Sequence, residues 1–265
     1  MRITKISIFT LLFSILIFEQ AKGADPLSEK FNILKSGTFN KYKKSSGGWR
    51  FGAGAGYALY VGNQMDYTLT LGYGEFNELR TNYTLGAFKA FSNHNEWGIV
   101  VKNGYFGTLK SLNTQGLECY FNEIQIMYQR SLNNNVGLTS GFLTCNLQCG
   151  LGAMQYKSRY FLVNTQTKSI ERVLSSLGYG STTGAKDIPG EKIALLGNLG
   201  INLGFKLSPN ISIYYENSLQ VALTNQLSGN LFKKSLIPPD AYYYMGLSVY
   251  LRFGGYANRI GCPKF

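Results

Sequence analysis

The closing stretch of the chain, residues 243–253, alternates strictly between two kinds of side chain. One set is apolar throughout, and the interleaved set is small or polar and includes a charge. The apolar members are Tyr243, Met245, Leu247, Val249, Leu251 and Phe253, and the interleaved ones are Gly246, Ser248, Tyr250 and Arg252. A period of two is typical of a β-strand with two different faces. An apolar face toward lipid and a small, polar face toward a crowded, wet lumen produce this pattern in a membrane-spanning barrel.

Seven further segments repeat the alternation and, with the closing stretch, predict eight strands. They cover residues 49–60, 79–91, 96–106, 119–131, 136–151, 191–206 and 211–222. The intervening segments 92–95, 132–135 and 207–210 are short, whereas 61–78, 107–118, 152–190 and 223–240 are long. An even strand number with alternating short and long connections predicts an all-β fold, an eight-stranded antiparallel transmembrane up-and-down β-barrel with short periplasmic turns and long external loops. Residues 65–74 also alternate, and the sequence leaves open whether they form an additional strand.

A soluble β-sandwich or lipocalin-like barrel is the main alternative, because periodicity alone does not say which face is inside. The polar faces of the predicted strands are rich in glycine and isolated charges, which suits a narrow lumen filled by side chains. Charged residues make up 15% of the chain, well below the roughly 25% usual in soluble domains. Both observations favour the membrane barrel.

The N-terminus has the features of an export signal. Arg2 and Lys5 precede an apolar run over residues 6–18, and the small residues Ala21, Gly23 and Ala24 follow. This run is shorter than the ~20 residues that a spanning helix needs, so we interpret residues 1–23 as a signal peptide. Residues 24–48 are then predicted to be a periplasmic segment, 49–253 the barrel and 254–265 a periplasmic tail. The expected location is the bacterial outer membrane.

Ionisable side chains on the predicted inward faces are the clearest candidates for function. They are Arg80, Lys102, Glu123 and Glu216. Unpaired charges inside a barrel would be costly, so we expect a lumenal charge network. Such a network either plugs and rigidifies the barrel or gates ions, and the plug is favoured because eight strands leave little open space.

The chain has four cysteines, and an exported protein can oxidise them. Folding the fourth predicted strand onto the fifth about the 132–135 turn places Cys119 opposite Cys149 and Tyr128 opposite Ser140. This register predicts a Cys119–Cys149 disulfide at the external rim, with free thiols as the alternative. Cys262 falls in the predicted periplasmic tail.

No catalytic, cofactor or metal site is evident. The only histidine, His94, lies in a predicted periplasmic turn, and the cysteines lack metal-ligand spacing. The net charge of +12 is scattered over loops and strand ends, so lipopolysaccharide, outer-membrane lipid or polar partners are expected, and nucleic acid is not. The longest predicted loop, 152–190, is basic, and residues 169–174 in it are interpreted as a helical turn.

Several segments carry a resemblance to known barrels. They are Gly56–Asn63, Thr84–Phe88, Asn122–Tyr128 and Tyr242–Val249. With these segments the chain resembles small outer-membrane barrels of Bacteroidota, both OmpA-type N-terminal barrels and PorG-like barrels associated with type IX secretion. We therefore expect a non-enzymatic structural or interaction subunit, of a secretion or surface-assembly complex, with protein partners reached through the periplasmic side or the external loops. A narrow pore or small-ligand transporter remains the alternative.

Overall fold

A computed structural model describes residues 48–61, 80–92, 94–110, 114–132, 143–164, 167, 169–180, 186–208, 210–231 and 240–253. Ten strands lie within these ranges. They are β1 (Trp49–Val61), β2 (Thr81–Ala90), β3 (Asn95–Lys110), β4 (Gln115–Ser131), β5 (Leu143–Asn164), β6 (Ser169–Leu177), β7 (Lys186–Ile188), β8 (Lys192–Lys206), β9 (Ile211–Ala222) and β10 (Ala241–Phe253).

Eight of these strands close into a barrel. The sheet runs β4-β3-β2-β1-β10-β9-β8-β5, and β4 also pairs with β5, so the ring has no free edge. Every neighbouring pair in the ring is antiparallel. β1 and β10 meet along the whole seam, from Trp49 opposite Phe253 to Val61 opposite Ala241. The predicted eight-stranded antiparallel barrel is thereby confirmed.

The ladder pairs fix the size of the barrel. A line of paired residues that starts at Trp49 passes once around the ring and returns to β1 at Leu59, an offset of ten residues. Its intermediate members are Lys89, Trp97, Tyr128, Cys149, Leu199, Leu219 and Tyr243. For eight strands and this offset, standard strand spacings give a tilt of about 41° and a radius of about 8 Å at the backbone. Side chains pointing inward therefore fill the interior.

The outer surface is apolar and the inner surface is polar. On the outside Leu85 is 61% exposed, Ile126 61% and Leu151 75%, whereas their inward-facing neighbours are buried and mostly polar. These inward residues include Thr84, Asn82, Gln125, Gln129, Gln148 and Ser248. Since exposed apolar side chains cover the middle of the wall and polar ones fill the interior, the barrel is built to span a membrane. The described residues contain no helix long and apolar enough to cross a membrane.

Aromatic residues border the apolar surface of β3 and β4. Near the short turns, Trp97 and Tyr128 pack with ring centroids 5.2 Å apart. Eight residues further along the same strands, Tyr105 and Tyr120 stack at 5.0 Å. At about 2.5 Å of height per tilted residue the two pairs are about 20 Å apart, close to the separation of the aromatic girdles of membrane barrels. β3 and β4 continue beyond the upper pair to Lys110 and back from Gln115.

Inward-facing glycines make room for tyrosine rings. A Cβ added at Gly52 would lie 2.2 Å from Cδ1 of Tyr250, its partner across the β1–β10 seam. A Cβ at Gly246 would lie 2.5 Å from the hydroxyl oxygen of Tyr244. The small residues on the polar face therefore provide the space in which large rings cross the lumen.

The predicted strands agree with the barrel strands best where the connections are short. The turns between β2 and β3 and between β8 and β9 lie where they are predicted. The long loop predicted at 152–190 is wrong, because β5 continues to Asn164 and β6 and β7 follow it. The helical turn predicted at 169–174 is part of β6, which pairs with the distal end of β5. β5 is described from Leu143, and the predicted start at residue 136 lies outside the described residues.

The predicted register of β4 on β5 is also wrong. Cys119 lies opposite Ser158, nine residues from its expected partner, and Tyr128 lies opposite Cys149. Cys119 is buried within the barrel while Cys149 is exposed on the outer wall, and both are free thiols. Nine residues along a strand correspond to about 30 Å, far beyond the reach of a disulfide. The Cys119–Cys149 bond is therefore excluded by the structure.

Other predictions fall on residues outside the described ranges. They are the signal peptide at 1–23, the periplasmic segment at 24–48 apart from its last residue, the open question at 65–74, and the tail at 254–265 with Cys262.

Closure of the seam can be tested by cross-linking. In a variant whose native cysteines are replaced by serine, Ala53→Cys and Val249→Cys place two thiols directly opposite each other on the outer face. We expect them to cross-link efficiently with a short thiol reagent, because cross-strand Cβ atoms lie roughly 4.5–5.5 Å apart. The control pairs Ala53→Cys with Tyr243→Cys, six residues further along β10 and about 20 Å away. Equal cross-linking of both pairs, or none of either, would contradict the register.

Candidate functional site

The lumen near the short turns holds a charged cluster. Nη2 of Arg50 lies 2.7 Å from Oε2 of Glu96, and Nη2 of Arg252 lies 2.7 Å from the other oxygen, Oε1. Arg50 also donates to Oε1 of Gln129 at 2.6 Å. Both oxygens of one carboxylate are thus used by two guanidinium groups, which is a strong, charge-assisted arrangement. The cluster joins β1, β3, β4 and β10.

Aromatic rings surround the Arg50 guanidinium. Its Cζ lies 4.6 Å from the ring centroid of Phe88, 4.8 Å from that of Tyr214 and 4.4 Å from that of Tyr250. Tyr250 contacts both other rings edge-on. Desolvated cation–π contacts of this kind are worth roughly 2 kcal/mol each. The turn-side end of the lumen is therefore occupied by one cation packed among three rings.

The middle of the lumen holds a buried ion pair. Lys102 and Glu123 lie opposite each other in β3 and β4, and Nζ of Lys102 is 3.5 Å from Oε1 of Glu123. The Tyr242 hydroxyl donates to Oε2 of Glu123. Nζ of Lys102 also lies 4.4 Å from the ring centroid of Tyr244. Because β4 and β10 are four strands apart in either direction around the ring, the Tyr242–Glu123 hydrogen bond crosses the full width of the lumen.

A second crossing lies beside the first. Nε2 of Gln125 donates to Oε1 of Glu123 at 3.0 Å and to Oε1 of Gln220 at 2.9 Å. Gln220 in turn donates to the Ser218 hydroxyl at 3.0 Å. The bond from Gln125 to Gln220 joins β4 to β9, which are three strands apart on the shorter path around the ring. The middle of the barrel is thus bridged by a connected set of polar side chains.

Glu216 lies in the same layer with fewer partners. Its side chain accepts a hydrogen bond from the Tyr250 hydroxyl at 3.1 Å and is 6% exposed. Among the described residues no lysine or arginine comes within ion-pair distance of it. Asn202 lies directly opposite, and its Oδ1 is buried without a hydrogen-bond partner, as is the Tyr244 hydroxyl. This side of the lumen is therefore acidic and polar.

The external end of the lumen is closed by apolar side chains. The Phe106 ring stacks at 5.8 Å on Tyr60 and at 5.3 Å on Tyr242, and Phe121 lies 5.2 Å from Tyr242. Leu227, from the connection between β9 and β10, packs into this cluster with none of its surface exposed. We call residues 223–231 the cap segment, because they cover the external mouth of the barrel.

Asp240 fastens the cap segment to the wall. Its Oδ1 accepts a hydrogen bond from the Tyr60 hydroxyl at 2.7 Å, and its Oδ2 accepts one from the backbone N–H of Leu227 at 2.8 Å. At the other end of the cap segment, the hydroxyl of Ser175 in β6 donates a hydrogen bond to the carbonyl of Gly229 at 2.6 Å. Burial raises the pKa of the Asp240 carboxyl above its ordinary value, while the hydrogen bonds that it accepts oppose this rise. Contacts on both sides therefore hold the cap segment in place.

Of the predicted lumenal residues, the structure brings Lys102, Glu123 and Glu216 to the middle layer but not Arg80. Arg80 precedes β2, and its guanidinium pairs with Glu118 and lies 4.7 Å from the ring centroid of Tyr105, both on the outer face. The prediction that Arg80 lies in the lumen is wrong because, just before the first residue of β2, its side chain turns to these outward-facing partners. The guanidinium also reaches over Gly107, where an added Cβ would lie 3.3 Å from its Cζ.

Three acidic residues were missed by sequence reasoning. Glu96 has the inward parity of Lys102 on the same strand, and that signal could have identified it. Glu118 and Asp240 fall in segments predicted to be loops, where there is no alternation to indicate whether a side chain points inward or outward. All three are central to the observed clusters.

No group of three His, Cys, Asp or Glu side chains among the described residues is placed to hold a metal ion. His94 lies in the turn between β2 and β3, at the end of the barrel opposite the cap segment.

No protein-family model and no curated protein matches the chain. Among solved structures, the chain is similar to Ail, the attachment invasion locus protein of Yersinia pestis, in complex with the heparin analogue sucrose octasulfate, with 12% identity, 78% of this chain and 99% of that chain covered, and a TM-score of 0.41. It is similar to Neisserial surface protein A, with 9% identity, 77% of this chain and 97% of that chain covered, and a TM-score of 0.43. It is also similar to the N-terminal β-barrel domain of Pseudomonas aeruginosa OprF. The identity is 11%, 78% of this chain and 99% of that chain are covered, and the TM-score is 0.38. Similarities this low carry no argument about function.

The buried ion pair can be tested by separating its members. We expect Lys102→Met and Glu123→Gln each to lower the free energy of unfolding, Lys102→Met by roughly 3–5 kcal/mol, because it leaves the Glu123 charge unpaired inside the barrel. The double variant should recover much of the loss. Urea unfolding in lipid vesicles measures all three, with Glu171→Gln on exposed β6 as the control for loss of a carboxylate. Additive losses in the double variant would show that the two groups are not coupled.

Proposed function

We propose that the protein is a non-enzymatic barrel of the bacterial outer membrane that acts as a structural or interaction subunit, in a secretion or surface-assembly complex. The observation that carries the proposal is the filled lumen. Side chains cross it at the Arg50 cluster, at the bonds from Glu123 to Tyr242 and from Gln125 to Gln220, and again at the cap segment. With a backbone radius of about 8 Å, these crossings occupy much of the narrow interior.

The external part of the wall offers a surface for partners. β5 has 22 residues, which at about 2.5 Å each would rise about 55 Å, roughly twice the height of an apolar membrane band. Its distal end pairs with β4 on one side and with β6 on the other. A rigid, hydrogen-bonded sheet that extends well beyond the membrane is suited to contact other molecules. Protein partners on this side or at the periplasmic turns are part of the proposal.

A narrow pore or small-ligand transporter is the second candidate. Glu216 favours it, because its carboxylate lacks a cationic partner among the described residues. In the same part of the lumen, Oδ1 of Asn202 and the Tyr244 hydroxyl have no hydrogen-bond partner. An acidic, polar pocket of this kind attracts cations. For conduction, however, both the cap segment and the Tyr242–Glu123 bond would have to move.

Planar-bilayer recordings separate the two candidates. We expect the wild-type protein to show no conductance steps, since tyrosine side chains occupy the middle of the lumen. The double variant Tyr242→Ala/Tyr244→Ala should conduct, because it removes two rings that are fully buried there. The matched control Tyr57→Ala/Tyr83→Ala removes two outward-facing rings and should remain silent. Steady conductance of the wild type, with a cation selectivity lost in Glu216→Gln, would instead establish the pore.

The interaction role has its own test. Chemical cross-linking in native outer membranes, followed by purification under mild detergent, should recover the barrel with defined protein partners. A barrel that is recovered alone after effective cross-linking would contradict an assembly role while leaving the sealed lumen intact.

A further inference from the structure

Charged residues cluster on the outer wall, at the external end of β4 and β5. Arg159 lies opposite Glu118 across these strands, with its Nη2 2.6 Å and its Nε 2.7 Å from Oε2 of Glu118. The other oxygen of Glu118 pairs with Arg80. Glu118 and Arg159 are adjacent along their strands to inward-facing Cys119 and Ser158, so their side chains point away from the lumen.

Lys157 adds a further cation beside this cluster. It lies opposite Tyr120, and its Nζ is 5.5 Å from the ring centroid of Tyr120 and 5.3 Å from that of Tyr179. No carboxylate among the described residues comes within ion-pair distance of Lys157. The Tyr179 ring also lies 5.6 Å from Cζ of Arg159, and its hydroxyl is buried without a hydrogen-bond partner.

The cluster carries an excess of positive charge at its accessible edge. The side chains of Arg80 and Glu118 are 7% and 5% exposed, so they form a buried, mutually neutral pair. Arg159, with 29% of its side chain exposed, shares the same Glu118 carboxylate, and Lys157 adds a third cation, so these four side chains together carry two more positive charges than negative ones. We refer to Arg80, Lys157, Arg159, Tyr120 and Tyr179 as the rim cluster.

The height of the rim cluster matches the lipid headgroups. Glu118 lies opposite Gly107, ten residues along β3 from Trp97 at the lower girdle. Ten residues correspond to about 25 Å of height, the full height of a barrel's apolar band. The stacked pair Tyr105 and Tyr120 lies just below it, and exposed Ile124 and Ile126 continue the same face downward. A ligand here would meet cations at its head and an apolar wall along its tail.

We propose that the rim cluster binds a phosphate group of a phosphorylated glycolipid of the lipid A type in the outer leaflet. Since Glu118 engages Nε and Nη2 of Arg159, the remaining guanidinium nitrogen, Nη1, supplies donors and Lys157 a point charge, a combination that matches a phosphomonoester. The acyl chains lie along the apolar face below, and Tyr120 and Tyr179 flank the sugar. The site rests on the proposed outer-membrane location, because that leaflet supplies the glycolipid. A protein partner is less well matched, since the surrounding wall lies at membrane height.

Binding of purified, detergent-solubilised barrel to defined lipids tests this site. The probes are bisphosphorylated lipid A and the same lipid with both phosphates removed, measured by native mass spectrometry. We expect the bisphosphorylated form to bind at least tenfold more tightly, and Lys157→Gln/Arg159→Gln to abolish that preference. The matched control is Lys89→Gln, an outward-facing lysine 5.4 Å from the Trp49 ring centroid at the opposite rim, and it should bind like the wild type.

Several outcomes would overturn the site. They are equal affinity for the two lipids, retained preference in the double variant, or equal loss in Lys89→Gln, which would indicate a non-specific charge effect. Displacement of lipid A by millimolar inorganic phosphate would show a free-phosphate site. If the double variant fails to fold, Lys157→Gln alone gives the same test, because Lys157 makes no ion pair among the described residues. Lipid binding is measured independently of conductance and partner recovery, so its failure leaves the proposed function testable.

Discussion

The structure depends on the closure of β1 onto β10 with an offset of ten residues around the ring. In lipid every backbone donor and acceptor must be satisfied within the protein, and a closed ladder does this without an edge. The offset also sets the tilt and radius of the barrel. Once the radius is about 8 Å, alternate side chains of all eight strands must share a narrow interior, and their chemistry is constrained accordingly.

The interior meets this constraint by pairing rings with glycines and charges with opposite charges. Tyr250 lies over Gly52 of the facing strand, and Tyr244 lies over Gly246 of its own strand, so large rings fit where a neighbouring residue has no side chain. Glu96 neutralises Arg50 and Arg252, and Glu123 neutralises Lys102. The Glu123 carboxylate also accepts a hydrogen bond from Tyr242 on the opposite side of the ring, so this packing stiffens the barrel and also fills it. The same packing that stabilises the fold therefore argues for a role on the surface of the protein.

The number of strands and the direction of most side chains could be predicted because a period of two is a local signal. Register is different, because it depends on where a connection begins and ends. The predicted pairing of Cys119 with Cys149 differs from the observed one by an odd number of residues, which reverses the faces of β5. The sequence of β5 already indicated the correct faces, because the polar residues Thr144, Asn146 and Gln148 alternate with the apolar residues Leu147 and Leu151.

The remaining failures have a common cause. Arg80, Glu118 and Asp240 all lie at or beyond the ends of the predicted strands, where alternation no longer determines direction. Their contacts depend on which segments come close in three dimensions. Arg80 packs over Gly107, and Asp240 binds the backbone N–H of Leu227 at the external mouth of the barrel. The charged layers inside the barrel were partly predictable, whereas the cap segment and the rim cluster required the tertiary structure.

The central claim is that the apolar face of this barrel is its lipid-facing exterior, and the tryptophans allow a direct measurement. The chain has two, Trp49 and Trp97, and both are exposed on the outer wall at the turn-side girdle. The measurement is fluorescence quenching of the protein in vesicles whose lipids carry bromine either near the carbonyls or near the chain ends. Strong quenching by the shallow bromine, and weaker quenching by the deep one, is the expected result. Emission insensitive to bromine at both depths would contradict a membrane barrel.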